Sequence, residues 1–158
     1  MDKIRVLIVD DHDVVRLGLQ LLFSRMEQYE VIAEAKNARE AVERALETRP
    51  DLILMDVRLP DKSGIEACRE ILQFHPGTKV LMLTSYGDEE AVMASLLAGA
   101  RGFVVKEIRS GELLDAIRRV TRGEYLLDPT ATDRIVQGII KKQQGKPGKV
   151  GNLTPNKN

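Results

Sequence analysis

The chain has 158 residues, and its 24 basic and 24 acidic side chains cancel to a formal net charge of +0. That length suits one compact domain with residues to spare, and the charge balance excludes a whole-chain field that would gather nucleic acid or anionic membrane. A single cysteine, Cys68, excludes an internal disulfide framework, and no apolar run reaches membrane-spanning length. Acids interrupt the opening MDKIRVLIVDD too early for a signal peptide. The expectation is a cytoplasmic protein with no membrane partner.

Apolar, β-branched runs alternate with segments of helical spacing. The first run, IRVLIVD (residues 4–10), reads as a strand ending in the acid pair Asp10–Asp11. Val15, Leu19, Leu22 and Met26 then mark one face of a helix. EVIAEA (30–35) carries Glu34 in its middle, which suits an edge strand. Ala38, Ala41, Val42, Ala45 and Leu46 form the next helical stripe. DLILMD (51–56) is the greasiest run and ends in a carboxylate, Asp56. Ile65, Cys68, Ile71 and Leu72 follow at helical spacing, with Cys68 expected to be a small packed apolar group. KVLMLTS (79–85), a shorter helix over 89–97 ending near Gly99, GFVVK (102–106) and the Leu113, Ile117, Val120 stripe complete the pattern.

Near-continuous apolar strands alternating with helices indicate a parallel sheet covered on both faces. Right-handed crossovers make it an open, doubly wound α/β sheet of five βα units, flavodoxin-like, with expected strand order 2-1-3-4-5. Ligands bind such sheets at the carboxyl ends of the strands, beside the switch point between the first and third. After residue 123 the composition changes. TATDRIVQGIIKKQQ is expected to form one more helix, and from Lys141 onward there are five lysines and no acids, which reads as a solvated linker rather than a nucleic-acid arm.

In that topology Asp10, Asp11 and Asp56 converge. Crowded carboxylates repel one another, and a divalent cation removes the conflict; an all-oxygen set suits Mg2+, with Mn2+ as a substitute. Thr84 and Ser85 end the fourth strand with hydroxyls, and Lys106 ends the fifth with an ammonium. Acids, a hydroxyl and an ammonium around one central carboxylate fit the handling of a phosphoryl group, with Asp56 as nucleophile. Singly, each has a plain alternative: turn-forming or helix-capping aspartates, a β-branched strand threonine, a solvent-facing lysine. Their joint placement on four strand ends carries the weight. His12 invites a ligand reading, but a hard Mg2+ site prefers oxygen, so a cap or surface position is expected. His75, in the loop-like FHPG, has no functional case, and Phe103 has none of its own because a strand aromatic is usually core.

VLIVDDHDVVRLGL, DLILMDVRLPDKSGIEA and VLMLTSYGDEEAVMASLLAGARGFVVK closely resemble the receiver domain of bacterial two-component response regulators, and the first and last of these resemble its NarL/FixJ subgroup of transcription regulators. The resemblance covers about residues 4–122. It implies that Asp56 is the phosphoacceptor for a sensor histidine kinase. Asp10, Asp11, Asp56 and the backbone carbonyl of Arg58 would hold Mg2+, Thr84 and Lys106 would engage the phosphoryl oxygens, and Thr84 with Phe103 would switch. Pro60 and Gly64 match the loop after the phosphorylation site. Arg58 and Tyr86 flank the water path to the acyl phosphate and are expected to slow its hydrolysis. Leu17 and Leu21, off the first helical stripe, suggest with the fifth helix a face for a homodimer formed on phosphorylation, although scattered surface leucines explain them equally.

The expected organisation is a receiver domain over residues 1–123, then a linker helix and boundary residues over 124–158. NLTP resembles the opening of a helix-turn-helix domain that this chain does not contain, so DNA contact would come only through that domain. The expectation is a switch that catalyses its own acceptance of phosphate, not a turnover enzyme. One alternative is a Mg2+-dependent phosphohydrolase with an aspartate nucleophile, against which Arg58 stands two residues after Asp56 where a general acid is needed. Another is a binding module that never takes phosphate, against which the acid, hydroxyl and lysine set is complete.

Overall fold

A computed structural model describes residues 2–84 and 89–126. Its elements alternate without exception: β1 (Ile4–Val9), α1 (Asp13–Ser24), β2 (Tyr29–Ala35), α2 (Ala38–Thr48), β3 (Leu52–Asp56), α3 (Gly64–Phe74), β4 (Lys79–Thr84), α4 (Glu89–Leu97), β5 (Gly102–Val105) and α5 (Ser110–Thr121). The strands form one parallel sheet in the order β2-β1-β3-β4-β5, the order expected from the sequence. The edge placement of β2 agrees with the acid in its middle.

Both faces of the sheet are covered, which is why β3 is buried at every residue. On one side Ala38, Ala41 and Ala45 of α2 and Ala67, Cys68 and Ile71 of α3 pack on Leu7, Val9, Ile53 and Met55. On the other, Leu19 and Phe23 of α1 and Leu113, Ile117 and Val120 of α5 pack on Val6, Ile8, Leu54 and Leu81. Full burial of an aliphatic or aromatic side chain stabilises by about 1.5–3 kcal/mol, so these two layers hold β3 rigidly between them. Cys68 is fully buried, and desolvation pushes its thiol up to about 12 despite the nearby Arg69 charge. It behaves as the packed apolar group its position suggested.

Two helix-face expectations need correction. Leu46 is 53% exposed, because three alanines suffice to seat α2 closely and the wider stripe turns outward. Phe23, off the α1 stripe read from the sequence, is buried against Tyr29 with ring centroids 5.5 Å apart. Leu17 and Leu21 are exposed, as their spacing indicated, and Val14 joins them. Gly99 ends α4 at φ +105°, a conformation that favours glycine. After α5 the chain turns back, and the Leu126 amide donates to the Arg101 carbonyl at 2.9 Å. The linker helix expected beyond residue 126, and Ser85 and Tyr86, lie outside the described residues.

Candidate functional site

The site is assembled by register at the carboxyl edge of the sheet. Asp10 follows β1 directly, Asp56 is the last residue of β3, Thr84 the last of β4, and Lys106 follows β5. Backbone bonds continue the ladders past these ends: the Asp10 amide donates to Ala35 O at 3.0 Å, Val57 to Leu83 O at 2.9 Å and Lys106 to Thr84 O at 2.9 Å. The functional side chains are therefore fixed by sheet geometry rather than by loops.

Asp56 is 2% exposed. Lys106 Nζ donates to its Oδ2 at 2.7 Å, and the Arg58 amide donates to its Oδ1 at 3.1 Å. Lys106 also stands 3.5 Å from Asp10 Oδ2. Desolvation raises the Asp56 carboxyl above the ordinary aspartate range and the Asp10 charge adds to it, against the opposing effect of Lys106 and the Arg58 amide. Burial would lower the Lys106 ammonium, but the hydrogen bond and charge of Asp56, with Asp10, outweigh it and hold the ammonium above its usual value. Both directions are consistent: the carboxylates outnumber the single cation in a poorly solvated pocket.

Ligand atoms of Asp10, Asp11, His12 and Asp56 all lie within 4.8 Å of one another. Among the described residues, two buried side-chain oxygens lack a hydrogen-bond partner, Asp10 Oδ2 and Thr84 Oγ1, and both belong to this edge. A buried carboxylate oxygen that Lys106 approaches only to 3.5 Å, beside two further acids, fits a hard dication, whose charge would add to what one ammonium supplies. His12 occupies the N-cap position of α1, as expected, yet its side chain caps nothing. Its Nδ1 lies 3.0 Å from Asp10 Oδ1 and 3.2 Å from Asp11 Oδ1 instead.

Supporting contacts escaped the sequence reading. Arg16 of α1 donates to the Asp10 carbonyl at 2.7 Å and to Glu34 of β2 at 2.9 Å, and pairs with Asp13. Gln20 donates to the same Glu34. The odd acid in β2 is thus one end of a clamp on the Asp10 turn. Gly64, matched from the loop motif, gains a physical reason: a Cβ there would fall 2.1 Å from the Asp56 carbonyl oxygen. The Gly64 amide closes the intervening loop by donating to Val57 O at 2.8 Å. Within that loop Asp61 reaches across to α2, accepting from the Ala38 and Arg39 amides at 2.8 and 2.9 Å, while Asn37 accepts from Glu40. Two donors that the α2 N-terminus would leave orphaned are satisfied by the loop after Asp56. Phe103 is half-buried and packs against the buried cluster on the same face of the sheet as α2 and α3.

Residues 6–118 match the family described as response regulator receiver domain. Over 148 residues the chain is 42% identical to the DNA-binding transcriptional activator DevR/DosR of Mycobacterium tuberculosis, covering 92% of this chain and 68% of that protein. It is 40% identical over 141 residues to the response regulator protein VraR of Staphylococcus aureus, covering 89% and 68% respectively. The chain thus spans about two thirds of these relatives' lengths. Its structure is similar to that of a LuxR-family two-component response regulator from Aurantimonas, with TM-score 0.79, 34% identity and coverage of 88% of this chain and 99% of that one. It is also similar to the receiver domain of the putative response regulator NarL of Mycobacterium tuberculosis, with TM-score 0.74, 27% identity and coverage of 78% and 100%. Among the described residues no helix is long and apolar enough to cross a membrane. Fold, acidic pocket and likeness agree: this chain belongs to the receiver domain family of two-component response regulators and is related to its NarL/LuxR-type transcriptional members.

Proposed function

We propose that Asp56 accepts a phosphoryl group from a sensor histidine kinase, and that the resulting charge switches the domain and promotes its homodimerisation. The observation that carries this reading is the 2.7 Å contact between Lys106 Nζ and Asp56 Oδ2 inside a pocket of three acids. Asp56 is nearly buried, so water solvates its carboxylate poorly and leaves it more basic and more nucleophilic than an exposed one. Asp56 forms a bond to phosphorus as the donor's P–N bond breaks, and the electron pair departs with the kinase imidazole.

Asp10, Asp11, Asp56 and the Arg58 carbonyl would hold Mg2+ or Mn2+. When bound, the ion neutralises charge on the phosphoryl oxygens. Lys106 is placed to pair with a phosphoryl oxygen once transfer frees it from the carboxylate. The Thr84 hydroxyl, buried and without a partner, supplies a donor for another. Phosphorylation adds about −1.5 to −2 charge units, and satisfying Thr84 shifts the end of β4 toward the phosphate. Half-buried Phe103 on the neighbouring strand then turns inward. Arg58 and Tyr86 slow hydrolysis of the acyl phosphate. The domain acts in the cytoplasm as a self-phosphorylating and autodephosphorylating switch rather than a turnover enzyme. DNA contact falls to a separate helix-turn-helix domain beyond the receiver and its linker.

Incubation with a small-molecule phosphodonor and Mg2+ tests this, with intact mass and size distribution read together. Wild type should gain one phosphoryl group and shift toward dimer, and Asp56→Asn should do neither. No mass gain in the wild type would overturn the reading.

A further inference from the structure

We infer that residues 123–126 form a strap across the start of β5 that holds the unphosphorylated arrangement, so that strap and phosphorylation switch oppose one another. This rests on the proposed response of Thr84 and Phe103 and extends it to the chain's exit from α5.

Each residue of the strap is held. Gly123, at φ +91°, turns the chain out of α5, and its carbonyl accepts from Arg101 Nη1 at 2.9 Å. The Glu124 amide donates to Arg119 O at 3.1 Å. Its carboxylate accepts from Arg119 and Arg122 at 3.1 and 3.0 Å, which braces the turn against the end of α5. The Arg101 guanidinium carbon stands 4.6 Å from the centroid of the Tyr125 ring, a cation–π contact. The Leu126 amide donates to Arg101 O at 2.9 Å. The Leu126 side chain packs on the buried cluster that includes Val104 of β5 and Ile117 of α5.

The strap also explains the glycine at position 102. Its φ is not positive, so the backbone does not call for glycine there. Glycine weakens a strand, and its presence in one marks the close approach of another backbone. A Cβ at 102 would fall 2.6 Å from Leu126 Cβ and 3.3 Å from Leu126 N. Both atoms lie on or beside the backbone, so a side chain at 102 and the strap exclude each other. The strand gives up a side chain to admit the strap.

Strap and switch act on the two ends of one short strand. β5 has 4 residues, and the Lys106 amide ties its far end to Thr84 O at 2.9 Å. Movement of Thr84 toward a phosphoryl group therefore pulls on a strand whose start is clamped through Arg101 and Gly102. Contacts made in one arrangement stabilise that arrangement, and the linkage is reciprocal. Phosphorylation loosens the strap, and a loosened strap eases the switch. Residue 127 follows directly, so release of the strap hands the signal to the rest of the chain.

The test uses the full chain with a small-molecule phosphodonor and Mg2+ present throughout. Hydrogen exchange of the Leu126 amide is read by mass spectrometry in the wild type, at a dilution that keeps the protein monomeric. Phosphorylation should speed that exchange at least about fivefold, the lower end of typical coupling between sites, and leave the Ile8 amide of β1 unchanged. Arg101→Ala and Tyr125→Ala remove strap contacts without touching the acidic pocket, and Tyr125 is 56% exposed, so its variant keeps the core. At equal phosphoryl mass gain and higher protein concentration, both variants should form more dimer than the wild type. Unchanged Leu126 exchange in the phosphorylated wild type overturns the strap inference. So does a dimer fraction in the two variants no higher than that of the wild type. Either result leaves Asp56 standing as the acceptor, whereas no mass gain in the wild type overturns both readings.

Discussion

The two sides of the sheet's carboxyl edge each keep one buried oxygen without a hydrogen-bond partner, and the two oxygens ask for opposite things. Asp10 Oδ2, beside β1 and β3, is an anionic acceptor that the Lys106 ammonium approaches only to 3.5 Å, leaving room for a further cation. Thr84 Oγ1, at the end of β4, is a hydroxyl that can donate to an anion. The acid side is anchored from several neighbouring elements. Arg16 fixes the Asp10 turn, the Gly64 amide closes the loop after Asp56 onto Val57 O, and Asp61 ties that loop to α2. On the other side, the backbone bond from Lys106 to Thr84 O joins two residues whose side chains are proposed to respond. A rigid acceptor set beside an unsatisfied responder is the arrangement a charge-driven switch requires.

If this contrast is right, damage to the acid side costs more stability than damage to the responder side. The largest effect is expected for Gly64→Ala, whose methyl must displace the Asp56 carbonyl. It should destabilise by about 3 kcal/mol in urea unfolding and sharply reduce phosphorylation. Arg16→Met removes charged donors from the Asp10 carbonyl and from Glu34, and should cost about 2 kcal/mol while weakening Mg2+ binding. Thr84→Val removes a buried hydroxyl that has no partner, so the unphosphorylated chain should be unchanged or more stable by up to about 1 kcal/mol. The same variant should still gain phosphate but fail to shift toward dimer. A Thr84→Val loss as large as that of Gly64→Ala would erase the contrast.

The smallest effect concerns Asp61. Desolvation opposes ionisation there, but the Ala38 and Arg39 amides win and hold the carboxyl below the ordinary 3.8. A folded-state value below the unfolded one means that its stabilisation is present above the unfolded value and is lost as pH falls through the lower folded value. Wild type should therefore exceed Asp61→Ala in stability at neutral pH, and part of that gap should close as pH drops below about 3.8 toward the folded value. A gap that is constant with pH would remove the charged cap from the account.

The fold was legible because four of the five strands are short, nearly continuous apolar runs, and coverage on both faces leaves few alternatives to a parallel sheet. The candidate site residues were legible for a related reason. In this topology every strand end reaches the same edge, so Asp10, Asp56, Thr84 and Lys106 could be brought together without knowing any side-chain distance. What the sequence concealed were contacts made across elements. Arg16 meets Glu34 from 18 positions away, and Asp61 meets Ala38 from 23. Nothing in local periodicity encodes such pairings. Leu46 was misplaced because helical spacing locates a stripe but not its width. His12 is the exposed N-cap residue of α1, in line with the expectation, while its ring contacts with Asp10 and Asp11 are among those that local periodicity does not encode.

The most direct measurement is the identity of the phosphorylated residue. After reaction with a phosphodonor and Mg2+, borohydride reduction converts an aspartyl phosphate to homoserine, which peptide mass mapping then places in the chain. The account predicts homoserine at position 56 alone, and none when Mg2+ is withheld. Homoserine at position 10 or 11, or its absence from a protein that has gained phosphoryl mass, would contradict it.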